Sequence, residues 1–171
     1  MNIIVTGKVG VGKTTVCEKV IYMAKSLGYN CGGILTPKSK EGITILDIET
    51  GEREVLASIN NIYQGPHTGK YYFNPEGIDF GTKALDSGIS SDILFVDEIG
   101  YLELKGEGFV KILEPIRTGK VKNSILVIRK ELLAAFSARL GSKVSIIETT
   151  INNRNELPQK ICALLNLGKT G

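Results

Sequence analysis

Tryptophan is absent from this 171-residue chain, and histidine occurs once, at His67. One imidazole cannot build a histidine-based metal centre. It makes a Ser-His-Asp arrangement improbable as well. His67 lies in QGPHTGK (64–70), a turn-forming stretch, and reads as a loop residue. Aromatic residues make up only 6% of the chain, too few for the stacking platforms that bind single-stranded nucleic acid. Cysteine is scarce too. Cys17, Cys31 and Cys162 are odd in number, far apart and in no C-x-x-C pair, which disfavours zinc and dithiol redox chemistry. They read as reduced, mostly buried thiols. No apolar run approaches the roughly 20 residues of a membrane span. The opening MNIIVTGK lacks the basic and apolar regions of a signal peptide. No block of five or six like charges occurs, and a net charge of +3 is only mildly basic. The expectation is a cytoplasmic enzyme, monomeric or weakly oligomeric, with no membrane partner and no tight nucleic-acid partner.

The length suits one domain, residues 1–171, and 42% hydrophobic residues suit a globular core. Short apolar runs alternate with amphipathic stretches. NIIVTG (2–7), CGGILTP (31–37), ILFVDEI (93–99), SILVIRK (124–130) and KVSIIETT (143–150) read as strands, and KYYFNP (70–75) as a further short one. Lys13–Leu27, Pro75–Ser87, Glu107–Gly119, Glu131–Leu140 and Asn155–Leu167 read as helices, with Pro115 expected to kink or end the third. The stretch 42–57 alternates apolar and polar around Glu49-Thr50-Gly51, predicting a β-hairpin at a sheet edge. Strands continuous in Val, Ile and Leu imply a parallel sheet covered on both faces. The fold class is therefore α/β: a three-layer domain, mainly parallel, flanked by helices, with an inserted antiparallel hairpin. The tail GKTG reads as a frayed terminus.

Between the first strand and first helix stands GKVGVGKT (7–14), which fits the phosphate-binding pattern G-x-x-x-x-G-K-[ST] in its strand–loop–helix setting. Gly7, Gly10 and Gly12 let the backbone turn its amides inward around a phosphate, with Lys8, Val9 and Val11 between them. The helix N-terminus adds its positive end. Lys13 is placed to reach the β- and γ-phosphates, Thr14 to offer a hydroxyl to Mg²⁺, and Thr15 to complete the loop. A phosphate loop of this kind needs an acid at the end of a second strand to hold the metal. Asp97, directly after Ile93, Leu94, Phe95 and Val96, fits that role. Glu98 follows. Strand alternation sends it to the other face, where it can orient or deprotonate a water attacking the γ-phosphate.

Other candidates are weaker. Arg129 and Lys130 end a strand where a cation could meet the γ-phosphate, although surface charge is the plainer reading. Arg139 is more remote. Asn153 and Arg154 follow the last strand, where base or ribose contacts occur in open α/β sheets. Glu103 is a possible support for the site.

With these motifs in hand, the chain resembles the small P-loop nucleoside-triphosphatases, the group that includes the cancer-related nucleoside-triphosphatase. The resemblance rests on TGKVGVGKTT (6–15), GGILTP (32–37), DEIGYLEL (97–104) and NNRNELP (152–158), and runs over about residues 2 to 165. It implies Mg²⁺-dependent hydrolysis of nucleoside triphosphates (ATP, GTP, CTP and UTP, with loose base preference) to diphosphate and phosphate. One departure is visible. The family often has arginines after its second strand, where this chain reads TPKSKEGITI, so Lys38 or Lys40 would serve as a point charge instead. Lys8 also fits the modified loop of partitioning-type ATPases, but Val9 stands where they usually carry glycine. Two alternatives stay open. One is a small-molecule or nucleotide kinase with its acceptor held by region 37–75. The other is a slow nucleotide switch using the 42–57 hairpin as its interaction edge.

Overall fold

The computed structural model describes residues 1–168. Nine strands form one sheet in the order β5-β6-β4-β3-β2-β7-β8-β1-β9. Five of them are parallel: β2 (Cys31–Leu35), β7 (Ile93–Ile99), β8 (Ser124–Ile128), β1 (Asn2–Thr6) and β9 (Val144–Glu148). Their side chains alternate between two cores. Ile4, Leu94, Val96, Leu126 and Ile128 enter one; Ile3, Val5, Ile93, Phe95, Ile125 and Val127 enter the other. Apolar residues on both faces explain why these strands read as continuous hydrophobic runs.

Helices cover both faces. α1 (Lys13–Ser26) brings Val16, Cys17 and Val20, and α6 (Leu157–Leu164) brings Ile161 and Cys162, to the second core. On the first core lie Ala84 and Leu85 of α2 (Pro75–Gly88), Leu102 of α3 (Tyr101–Leu104), Leu113 and Ile116 of α4 (Leu113–Arg117), and Phe136 of α5 (Leu133–Leu140). All three cysteines are buried free thiols. Close approach is built in at Gly33, whose φ is +97° and where a Cβ would lie 2.0 Å from the Phe95 carbonyl oxygen. Only glycine meets both demands.

Several boundaries differ from the sequence expectation. The 42–57 hairpin is present as β3 (Gly42–Asp47) and β4 (Arg53–Ser58). It does not sit at the edge, because β6 (Tyr71–Phe73) pairs with β4 and β5 (His67–Thr68) pairs with β6. The insertion is thus four antiparallel strands rather than two. The outermost, β5, is only two residues long, a poor template for strand addition. The interaction edge assumed for a switch protein is therefore partly covered: Ala57 and Ser58 pair with β6, and Asn74 donates to the Val55 and Leu56 carbonyls. Pro115 neither kinks nor ends a long helix; it sits in the first turn of the short α4, where its missing N–H costs nothing. A 3₁₀ turn, Val110–Ile112, precedes α4, and another, Lys130–Leu132, precedes α5. The tail beyond Gly168 lies outside the described residues.

Candidate active site

β1 ends in the phosphate loop, and α1 begins at Lys13 behind Gly12, whose φ of +98° sets the turn. Lys13 is buried. Its Nζ donates to the carbonyls of Gly7 (3.0 Å) and Lys8 (2.8 Å), so the ammonium curls back across the loop. Burial lowers its pKa, against the pull of Glu98 and Asp97. Lys8 and Val9 project into solvent, with Val9 74% exposed.

Thr14, the first turn of α1, donates its hydroxyl to Asp97 Oδ2 at 2.8 Å. Asp97 is only 1% exposed. Burial pushes its carboxyl up to about 7, and the bond from Thr14 offsets only part of that. The two oxygen groups are hard donors suited to Mg²⁺. Among the described residues no cluster of three or more His, Cys, Asp or Glu could hold a metal alone.

Glu98 is where the structure revises the reading most. Its carboxylate is paired with two cations. Arg129 Nε donates to its Oε1 at 2.8 Å, and Lys38 Nζ lies 3.2 Å from the same oxygen. Burial alone would raise the Glu98 carboxyl, but Lys38 and Arg129 outweigh it and hold the pKa below the usual glutamate range. Lys38 arrives on the loop after β2, so it occupies the place where the resemblance suggested arginine. Lys40 is exposed and takes no part. Arg129 leaves the end of β8, and its guanidinium lies over the Tyr101 ring, 5.5 Å from the centroid.

Glu103, one turn into α3, is 4% exposed. Its carboxylate accepts from the Gly100 amide at 2.8 Å and the Phe109 amide at 3.1 Å. It ties the segment after Glu98 to the next loop. On the opposite side of the phosphate loop, Arg154 packs along Gly12; a Cβ there would lie 3.5 Å from Arg154 Cδ. A cavity of about 320 Å³ is lined there by Gly12, Thr15, Val16, Lys19, Arg154 and Asn155. Asn153 is committed to its own turn. It accepts from the Thr150 amide at 2.8 Å and donates to the Glu148 carbonyl at 2.9 Å.

Other candidates fall away from the site. Lys130 pairs with Glu148, Arg139 lies over Phe136 on α5, and His67 stacks on Tyr72 at 4.4 Å. Sequence reasoning missed Tyr101, because a lone tyrosine after Gly100 carries no periodic signal.

The profile of the NTPase family matches residues 2–162. The chain belongs to this nucleoside-triphosphatase family. It is 33% identical over 168 residues to the nucleoside-triphosphatase THEP1 of Methanosarcina barkeri, covering 94% of this chain and 95% of the relative. It is 30% identical to the protein of the same name from Methanopyrus kandleri, over 94% and 92% of the two chains. The crystal structure of THEP1 from Aquifex aeolicus superposes with a TM-score of 0.78 over 99% of this chain and 100% of that one, at 25% identity. The fold is therefore that of the family, and the NTPase profile spans both the phosphate loop and the Asp97–Glu98 pair.

Proposed function

We propose that this protein hydrolyses nucleoside 5′-triphosphates to the diphosphate and phosphate, with Mg²⁺ and with loose base preference. The observation that carries the reading is the buried Thr14–Asp97 bond at 2.8 Å, with Glu98 next in the chain and paired to two cations. The amides of residues 7–14 wrap the β-phosphate, and Lys13 turns from the loop carbonyls to the β- and γ-phosphates. Thr14 and Asp97 would hold Mg²⁺, which when bound neutralises charge on the β- and γ-oxygens. Glu98 is ionised at neutral pH. It accepts a hydrogen bond from the attacking water and fixes its direction, taking the proton only late. Arg129 and Lys38 move part of their hydrogen bonding from Glu98 to the γ-phosphate as charge gathers there. Base preference is loose because Arg154, beside the far cavity, offers charge and stacking rather than a base-specific pattern.

The test is phosphate release from ATP, GTP, CTP and UTP with Mg²⁺ or with EDTA. Wild type is expected to hydrolyse all four within about an order of magnitude, and none in EDTA. Lys13→Ala and Glu98→Gln are expected to lose about 10²-fold or more, with Glu98→Gln still binding nucleotide. Wild-type turnover by Glu98→Gln would remove Glu98 from the water-orienting role. Undiminished release in EDTA would remove the metal.

A further inference from the structure

Water is a small nucleophile, and a hydrolase needs room for little more than one molecule of it beyond the γ-phosphate, about 30 Å³. The space here is much larger. A cavity of about 310 Å³ opens on the far side of Glu98. Lys38, Glu98 and Arg129 form its polar mouth, beside Val9 of the phosphate loop. Its body is mainly apolar, with Ile43, Leu56, Tyr71, Phe73, Leu102 and Phe109, and Lys70 adds a cation whose ammonium lies over the Tyr71 ring. On the triphosphate-binding reading above, the nucleoside would lie across the loop, where Gly12, Thr15 and Arg154 line a separate cavity. A triphosphate lying along the loop therefore ends at the mouth of the Glu98 cavity rather than filling it.

The walls give a second reason. They come largely from the inserted antiparallel strands: Ile43 from β3, Leu56 from β4, Thr68 from β5, and Tyr71 and Phe73 from β6. None of these strands contributes to the phosphate loop, to the Thr14–Asp97 pair, or to Arg129. The insertion supplies a largely apolar, partly open pocket beside the reacting end of the substrate.

We propose that this cavity is an acceptor site for a small neutral alcohol with an aromatic body, and that the protein transfers the γ-phosphoryl group to its hydroxyl as well as to water. The inference rests on the triphosphate-binding reading above. The ring lies among Tyr71, Phe73, Leu102 and Phe109, and the hydroxyl meets Glu98 at the mouth. Lys38 and Arg129 are left for the transferring group. Cations at the rim disfavour a cationic acceptor, and no free carboxylate lines the body, because Glu103 is already held by two backbone amides. The alcohol oxygen forms a bond to the γ-phosphorus. The bond from that phosphorus to the β–γ bridging oxygen breaks, and its electron pair leaves on the diphosphate. The hydroxyl proton passes to Glu98 and then to solvent. The products are a phosphomonoester and a nucleoside diphosphate.

The experiment is product partitioning with γ-labelled ATP and Mg²⁺, in equal concentrations of benzyl alcohol or methanol. Wild type is expected to form benzyl phosphate at least about tenfold faster than methyl phosphate, since a pocket contact of this size discriminates by that order. Thr68→Trp, which fills the cavity from the short outer strand, is expected to abolish the benzyl preference and leave phosphate release within about twofold. Equal partition, or no phosphomonoester while phosphate is still released, overturns the acceptor site and leaves hydrolysis standing. Absence of both products overturns the triphosphatase reading itself. The wild-type measurement decides the matter without the variant.

Discussion

Removing the Glu103 carboxylate should cost more stability than its distance from any phosphate suggests. Its two oxygens satisfy the buried amides of Gly100 and Phe109, at 2.8 and 3.1 Å. Glu103→Ala leaves both N–H groups buried without a partner. At about 1–3 kcal/mol for each of the two orphaned donors, the loss is roughly 2–6 kcal/mol. That is a large share of the 5–15 kcal/mol typical of a domain. Glu103→Gln keeps one acceptor oxygen and turns an NH₂ toward the other amide, so about half the loss is expected. Catalysis should fall with it. Gly100 lies two residues beyond Glu98, and releasing its amide loosens the backbone that aims Glu98 at Arg129. A misplacement of about 1 Å costs as much as 10²-fold in rate, so a kcat reduced about tenfold with little change in KM is the expected signature for both variants. Urea unfolding and steady-state phosphate release measure the two effects. A Glu103→Ala protein within about 0.5 kcal/mol of wild type, with unchanged kcat, would show that the carboxylate neither holds this segment nor positions Glu98.

Two further outcomes follow from the core and the site. Asp97 has a carboxyl raised from 3.8 to about 7 in the fold. A raised folded-state pKa favours the protonated native protein, so this stability is lost as pH climbs through 7. Between pH 5 and pH 8 in EDTA, wild type should lose about 2 kcal/mol that Asp97→Asn does not lose. Parallel pH profiles for the two proteins in urea titrations would contradict this. Gly33→Ala places a Cβ 2.0 Å from the Phe95 carbonyl oxygen at a φ of +97°. A cost of about 3 kcal/mol or more, read as a lowered Tm, is expected, and an unchanged Tm would mean that β2 and β7 can separate without loss.

The parallel half of the fold was legible because physics writes it plainly. A strand buried on both faces must be continuously apolar, and ILFV before Asp97 or SILVI before Arg129 has no other comfortable home. The phosphate loop was legible because glycine, lysine and threonine are needed at fixed spacing. The antiparallel half was partly hidden. β5 and β6 are two and three residues long, too short for an alternating pattern to emerge. α3 is four residues, barely one turn, so Glu103 carried no helical signal. Lys38 was visible only as a departure from the expected arginine. Its partner could not be read, because the loop after β2 reaches Glu98 across 60 residues of sequence.

The pairing itself explains why two acids stand side by side. Lys13, Lys38 and Arg129 bring three positive charges to a partly buried site, and cations taken out of water without partners are costly. Lys13 resolves this by donating to two loop carbonyls. Lys38 and Arg129 resolve it on Glu98, whose side chain is 15% exposed. Asp97 cannot share that work, because it is deeper and committed to Thr14. A single acid would have to choose between metal and cations. With two, the proposed division of labour leaves Asp97 in the inner position and Glu98 holding the cations where a γ-phosphate would meet them. The arriving phosphate then replaces hydrogen bonds the cations already make, so little reorganisation is needed at the moment of reaction. In the proposed mechanism Glu98 yields only part of this hydrogen bonding to the substrate; both cations stay beside it, so it faces the attacking oxygen as an ionised acceptor. The group that stores the cations before substrate arrives is, on this argument, the group that directs the nucleophile afterwards.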